Sequence, residues 1–152
     1  MQWLWLIPLV PLALLFSAVM LKFYVLPNQL LDAAQEGNVA KVRAMLDLGV
    51  DINTQDGWGS TPMMYAAVNG NTEVVELLLE RGDDVNDGNH KMGRIPIMWA
   101  AQGGYDDTVR LLLTKGARTD LTGINGETAM MLACEEEHPS TIEILKASGA
   151  AQ

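Results

Sequence analysis

Apolar and polar positions recur along this chain in blocks of 33 to 34 residues. Each block carries a short apolar stretch ending A-A-x-x-G, then a second reading V-x-x-L-L-x-x-G, with the last copy degraded. The glycines that close the blocks, Gly49, Gly82, Gly116 and Gly149, are separated by 33, 34 and 33 residues. Each block predicts two short helices joined by a turn, and a period of this kind decides the architecture before local propensity does. The expected fold is an all-α repeat solenoid, in which helix pairs too small to bury a core alone make one by stacking.

The residues at the fixed positions suit that reading. Thr61 and Thr128 stand where a first helix begins, and a hydroxyl there accepts an otherwise unpaired backbone N–H. Pro62 and Pro96 fit the first helical position, which needs no N–H. The pairs Ala66-Ala67, Ala100-Ala101 and Ala133-Cys134 are small enough for neighbouring units to approach closely, and Gly70 and Gly104 suit a left-handed helix end. Leu77-Leu78-Leu79 and Leu111-Leu112-Leu113 form the apolar side of the second helix. The full units read G-S-T-P-M-M-Y-A-A-V-N-G, M-G-R-I-P-I-M-W-A-A-Q-G-G and N-G-E-T-A-M-M-L-A-C-E-E-E, and a truncated first unit reads L-L-D-A-A-Q-E-G-N. This pattern closely resembles the ankyrin repeat, whose hallmark is T-P-L-H-x-A-A with a downstream L-L-L-x-x-G-A. The resemblance covers residues 28–152 and implies four repeats, at 28–55, 56–88, 89–122 and 123–152.

Departures from the pattern carry expectations of their own. Methionine replaces the histidine of the phrase at Met64, Met98 and Met131, which reads as filler in or near the core. Ile95 stands where the capping threonine belongs, and the loop Asp83 to Arg94 has one extra residue, so it should be the most irregular. Glu137 stands where a glycine is expected, which predicts an altered or strained turn. Cys134, at a small-residue position, reads as a packed thiol.

The segment before the repeats differs in kind. Trp3 to Leu21 is a run of 19 residues without a charged side chain. At about 1.5 Å per residue such a helix matches a bilayer core. Trp3 and Trp5 at one end, and Phe23 and Tyr24 at the other, resemble interfacial belts, and Lys22 can reach the headgroups. Residues 1–27 are therefore expected to be an N-terminal transmembrane anchor, entering the bilayer through residues 3–26. Pro27 is expected to break the helix, and Asn28 to cap the next one. A cleaved export signal fits less well, since no Lys or Arg precedes the run and no small-x-small step follows it. Lys22, Lys41 and Arg43 all follow the run, which favours a single-pass protein of a bacterial inner membrane with its repeats on the cytoplasmic side. Repeats facing the periplasm are the alternative.

Charge narrows the partners. Residues 28–152 hold all 19 acidic residues and nine of the 10 basic ones, a net charge of −10. Such a surface repels phosphate backbones, so nucleic acid is not an expected partner. Cys134, His90 and His138 lack zinc-ligand spacing, and no nucleophile elbow, phosphate loop or H-E-x-x-H motif occurs. No catalytic residue, metal, cofactor or small-molecule substrate is therefore expected. The remaining expectation is binding of another, membrane-associated, protein. The family resemblance implies that the contact lies on the loop tips and the exposed positions of each first helix. Those positions are Gly57, Trp58, Ser60, Val68 and Asn69; then Lys91, Met92, Arg94 and Gln102; then Ile124, Asn125 and Glu127. Trp58 is the leading anchor, and packing against the adjacent loop is the plainer role for it. The expected function is a membrane-tethered, non-catalytic adaptor or accessory subunit of a membrane-associated complex. The alternative is an immunity or inhibitor protein that neutralises a toxin or hydrolase at the membrane.

Overall fold

A computed structural model describes residues 9–88 and 90–149. An N-terminal helix, α1 (Leu9–Met20), continues through a π turn (Leu21–Val25) into α2 (Leu26–Glu36). Among the described residues four helix pairs succeed one another: α2 with α3 (Val39–Asp47), α4 (Pro62–Val68) with α5 (Thr72–Glu80), α6 (Pro96–Gln102) with α7 (Asp106–Thr114), and α8 (Ala129–Glu135) with α9 (Pro139–Ala147). The first helices pack in the order α2, α4, α6, α8 and the second in the order α3, α5, α7, α9, so two helical layers run the length of the stack.

Local chemistry sets the helix starts. The hydroxyls of Thr61 and Thr128 accept the backbone N–H of Met64 (3.4 Å) and Met131 (3.2 Å). Ile95 offers no such bond, and α6 begins on Pro96 alone. These first helices span only seven residues, well below the length at which a helix is stable in water. Burial against neighbours holds them. Leu30, Ala33, Ala34, Val42, Met63, Ala66, Ala67, Val75, Leu78, Ile97, Ala100, Ala101, Leu112 and Leu145 belong to one continuous core. Met64 and Met98 are buried as expected.

Successive repeats lock at one recurring seat. Gly70 and Gly104 end their first helices in left-handed geometry, each with φ of 68°. A Cβ on Gly70 would lie 2.3 Å from the ring of Tyr105, and one on Gly104 would lie 2.5 Å from the ring of His138. Each glycine is thus needed twice, for its backbone angle and for the space it leaves to the next repeat. Tyr105 and His138 immediately precede the second helices of their repeats. His138 Nε2 also lies 2.9 Å from the carbonyl oxygen of Gln102. Asn71 occupies the same position one repeat earlier, where its Nδ2 donates to the carbonyls of Ala34 (2.8 Å) and Gln35 (2.9 Å). The outer layer adds polar ties: Thr72 Oγ1 and Thr108 Oγ1 lie 2.8 Å apart, and Asp106 accepts from the hydroxyls of Ser140 and Thr141.

At the fourth repeat the pattern changes. Glu137 holds the position of those glycines with φ of 57°, the one non-glycine residue with positive φ among the described residues. Among the described residues no later side chain occupies the seat there. Two sequence expectations are corrected at this end of the stack. Met131 is 48% exposed, and Cys134 is exposed although its counterparts Ala34, Ala67 and Ala101 are fully buried. Each needs a next repeat to cover it. Both instead line an open hollow of about 560 Å³ with Met130, Ile142 and Lys146.

Two N-terminal expectations, those for Pro27 and Asn28, are also corrected. Residues 3–8 of the expected bilayer span lie outside the described residues, and no helix among the described residues is long and apolar enough to cross a membrane. Pro27 does not break the helix; the helical run passes through it from Leu9 to Glu36. Proline cannot donate to the carbonyl four residues back, and its ring crowds that carbonyl. The backbone answers by widening one turn: the N–H of Leu26 reaches the carbonyl of Leu21, five residues back. Asn28 is not a cap, since its Nδ2 donates to the carbonyl of Tyr24 at 3.0 Å. A π turn of this kind re-registers a helix without ending it.

Asp83 begins the irregular inter-repeat loop, and its Oδ2 is buried with no hydrogen-bond partner. Burial pushes its carboxyl up to about 7, with the charges of Asp87 and Asp84 adding to the rise, while the N–H of Asp84 on Oδ1 (2.8 Å) opposes it.

Two stability measurements test these points. Glu137→Gly should stabilise the protein by about 1 kcal/mol in urea denaturation, because it relieves left-handed strain where no described side chain fills the seat. Gly104→Ala should destabilise it by clearly more than that, since the new methyl meets His138. The second test concerns pH. The raised pKa of Asp83 means that the folded state favours the protonated acid. Its contribution is intact below about pH 4 and is lost as pH rises toward 7, where the unfolded chain alone has released the proton. Asp83→Asn should therefore stabilise the protein by about 2–4 kcal/mol above pH 7 and by little near pH 4. Equal effects at both pH values would reject the buried-carboxyl assignment.

Candidate protein-binding surface

Asp56 organises the first loop of the candidate surface. Its Oδ1 accepts the backbone N–H groups of Trp58 and Ser60, each at 2.8 Å, and its Oδ2 accepts the hydroxyl of Tyr65 at 2.8 Å. Partial burial raises the Asp56 carboxyl, but these hydrogen bonds outweigh it and hold the pKa below the usual value. The same bond raises the Tyr65 phenol, with burial adding to the shift. A tight loop results, with Trp58 at its tip and 67% exposed. Lys91, from the next loop, sits with its Nζ 4.6 Å from the Trp58 ring centre, and its backbone N–H donates to the Trp58 carbonyl at 3.3 Å. Trp58 therefore packs on the adjacent loop and still presents most of its surface.

The second and third loops are tied in the same manner. His90 Nδ1 accepts the N–H of Met92 (3.1 Å), which places the proton of the neutral ring on Nε2. The Met92 carbonyl accepts the N–H of Ile124 at 2.8 Å. Arg94 spans repeats three and four: Nε donates to Glu127 Oε1 at 2.7 Å and Nη1 to Gln102 Oε1 at 2.9 Å. Gln102 Nε2 donates in turn to Glu136 Oε1 at 3.4 Å. The Arg94 hydrogen bond is the main cause of a lowered Glu127 carboxyl. Glu127 Oε2 also accepts the N–H of Asn125 at 3.0 Å, which folds the last tip.

The sequence-selected positions thus fall into two sets. Gly57, Trp58, Val68, Asn69, Lys91, Met92, Ile124 and Asn125 are exposed on the loop tips and at the ends of the first helices. Arg94 and Glu127 are internal partners, with side chains only 12% and 13% exposed, and Ser60 and Gln102 are half-buried between neighbours. Three residues outside the selection complete the surface. Tyr65, His90 and Trp99, with Ser60, Met64 and Val68, line a small pocket of about 80 Å³ between repeats two and three. Trp99 is fixed there by Arg94, 5.0 Å over its ring, and by His90, edge-on at 5.4 Å. Its buried indole N–H has no hydrogen-bond partner. The sequence did hold a signal for two of them: Tyr65 and Trp99 occupy the variable position of the T-P-x-x-x-A-A phrase, one turn from the loop. Among the described residues no three potential metal ligands cluster.

Comparison with known proteins agrees with this geometry. The family described as "Ankyrin repeats (3 copies)" matches residues 30–123 and again residues 82–152. The chain is 42% identical over 65 residues to a putative ankyrin repeat protein YahD of Escherichia coli (strain K12), covering 43% of this chain and 32% of that protein. It is 38% identical over 123 residues to the E3 ubiquitin-protein ligase XBAT32 of Arabidopsis thaliana, covering 78% of this chain and 24% of the ligase. A human mitochondrial disaggregase is 42% identical over 59 residues, covering 39% of this chain and 8% of that protein. The matched region is thus a third or less of each of these relatives. The stacked helix pairs, the seated glycines and the family match together establish that the chain belongs to the ankyrin-repeat family, whose repeats suggest a protein–protein interaction module.

Proposed function

We propose that this protein is a membrane-tethered, non-catalytic adaptor or accessory subunit that binds another, membrane-associated, protein along its loop-tip edge. The observation that carries the binding reading is Trp58. It is held at the tip of a loop braced by Asp56, and most of its ring remains exposed. Val68, Met92 and Ile124 add exposed apolar side chains on the loops and helix ends of the same edge. A large aromatic on a rigid support is the usual form of an interface anchor.

What supports the tether is the apolar N-terminal segment. Leu14, Phe16, Val19, Met20, Leu21, Tyr24 and Val25 are all exposed, and a run of this kind in contact with water would be costly. A bilayer accounts for them, with residues 3–26 as the inserted segment and the repeats on the cytoplasmic side of a bacterial inner membrane.

Two experiments check the two halves of the proposal. The full-length protein should remain with membranes through high-salt and carbonate washes, because apolar insertion does not depend on charge; release by carbonate would reject the tether. Crosslinking in mild detergent, with mass spectrometry of the products, should identify a partner whose binding Trp58→Ala weakens by about 1–2 kcal/mol. Glu76→Ala, at an exposed position on α5, should leave that affinity unchanged. A partner held normally by Trp58→Ala and lost with outer-helix changes would place the interface on the other layer.

A further inference from the structure

Resting on the binding reading above, we infer that the pocket between repeats two and three takes a single apolar side chain from a partner segment with basic residues on both sides of it. The pocket holds about 80 Å³, against the ~300–1,000 Å³ typical of small-molecule sites. It is the right scale for one side chain and too small for a cofactor. Its walls are already in place. The Tyr65 hydroxyl is tied to Asp56, Trp99 lies between Arg94 and His90, and His90 is held by the N–H of Met92. Val68 closes one side from an exposed position. A site fixed in this way loses little conformational freedom when it is filled.

Charge selects the rest of the segment. On one flank the Asp56 carboxylate lies 2.8 Å from the Tyr65 hydroxyl, and the field of Asp32 also reaches that phenol. On the other flank Glu127 and Glu136 are joined to the pocket wall through Arg94 and Gln102. Arg94 is committed to Glu127, and Lys91 is held over the ring of Trp58. With Glu127 paired to Arg94, the exposed carboxylates of Asp32 and Glu136 remain, one on each flank. An acidic segment would meet repulsion on both flanks, whereas lysine or arginine on each side of the inserted residue would find carboxylates.

The test uses the full-length protein in a neutral maltoside detergent and three fluorescein-labelled peptides, read by anisotropy. One carries a leucine between lysine pairs, the second replaces the lysines by glutamates, and the third replaces the leucine by serine. The lysine–leucine peptide should bind about tenfold or more tighter than either of the others, and added salt should weaken it. Val68→Gln should reduce its affinity to that of the serine peptide. Asp32→Asn combined with Glu136→Gln should narrow the gap between the lysine and glutamate peptides. Equal binding of those two peptides would overturn the inference, as would indifference to Val68→Gln, which would mark a purely electrostatic association. So would failure of the lysine–leucine peptide to bind at all. If that peptide fails while a captured native partner still depends on Trp58, the chemistry assigned to the pocket is wrong and the binding edge stands. If neither peptide nor partner responds to changes on this edge, the binding reading itself fails.

Discussion

Everything in this stack depends on how one repeat seats on the next. The end of each first helix must turn left-handed and must present no Cβ, because the residue just before the next second helix lies where that atom would be. Asn71, Tyr105 and His138 fill the seat by different chemistry. Asn71 donates to two carbonyls and His138 lies within hydrogen-bond distance of one, whereas Tyr105 packs its ring against Gly70. The result is the same spacing between repeats. That spacing lets the alanine pairs 33–34, 66–67 and 100–101 become fully buried, and it brings each loop within hydrogen-bonding reach of the next. Helices of seven residues gain their stability from this nearest-neighbour packing and little from propensity.

An altered seat has visible consequences at the fourth repeat. Glu137 adopts the left-handed turn at a steric cost that glycine avoids. It also carries a Cβ at the position where Gly70 and Gly104 leave space for Tyr105 and His138. The seat on α8–α9 therefore differs from the three preceding ones. The exposure of Met131 and Cys134 has the same origin. Both residues sit at positions made for burial under a neighbour, and neither has one among the described residues.

The periodic features were legible in the sequence because each depends on a residue and its place within the unit. The threonine caps, the proline starts, the left-handed glycines and the strained Glu137 all required only local rules. The features that escaped depend on neighbours. Cys134 matches Ala101 within the unit, yet burial is decided by the repeat beyond it. Arg94 and Glu127 read as two separate surface residues because they are 33 positions apart, although stacking brings equivalent loops side by side. Pro27 defeats the local rule for a related reason. The helix-breaking rule counts the lost N–H, but it does not count the escape through a π register and an asparagine that serves the Tyr24 carbonyl.

That escape changes what the N-terminal segment can do mechanically. A helix ending at Pro27 would leave a joint between the apolar segment and the repeats. The observed run instead carries Leu21, Tyr24 and Val25 as exposed apolar residues, and a few turns later buries Leu30, Ala33 and Ala34 in the first repeat. The same backbone thus belongs to both parts. The helical run carries the apolar segment into α2 without a break, α2 packs against α4, and Asn71, just before α5, donates to the Ala34 and Gln35 carbonyls. The loop edge is in turn coupled across repeats by the Trp58–Lys91 and Met92–Ile124 backbone bonds. If residues 3–26 are held in a bilayer, the edge bearing Trp58 is presented at an orientation set by the helix and not by a flexible linker. Its partner would then be selected by position as well as by contact chemistry. A tether without a hinge restricts which neighbours can be reached, and it raises the effective concentration of those correctly placed.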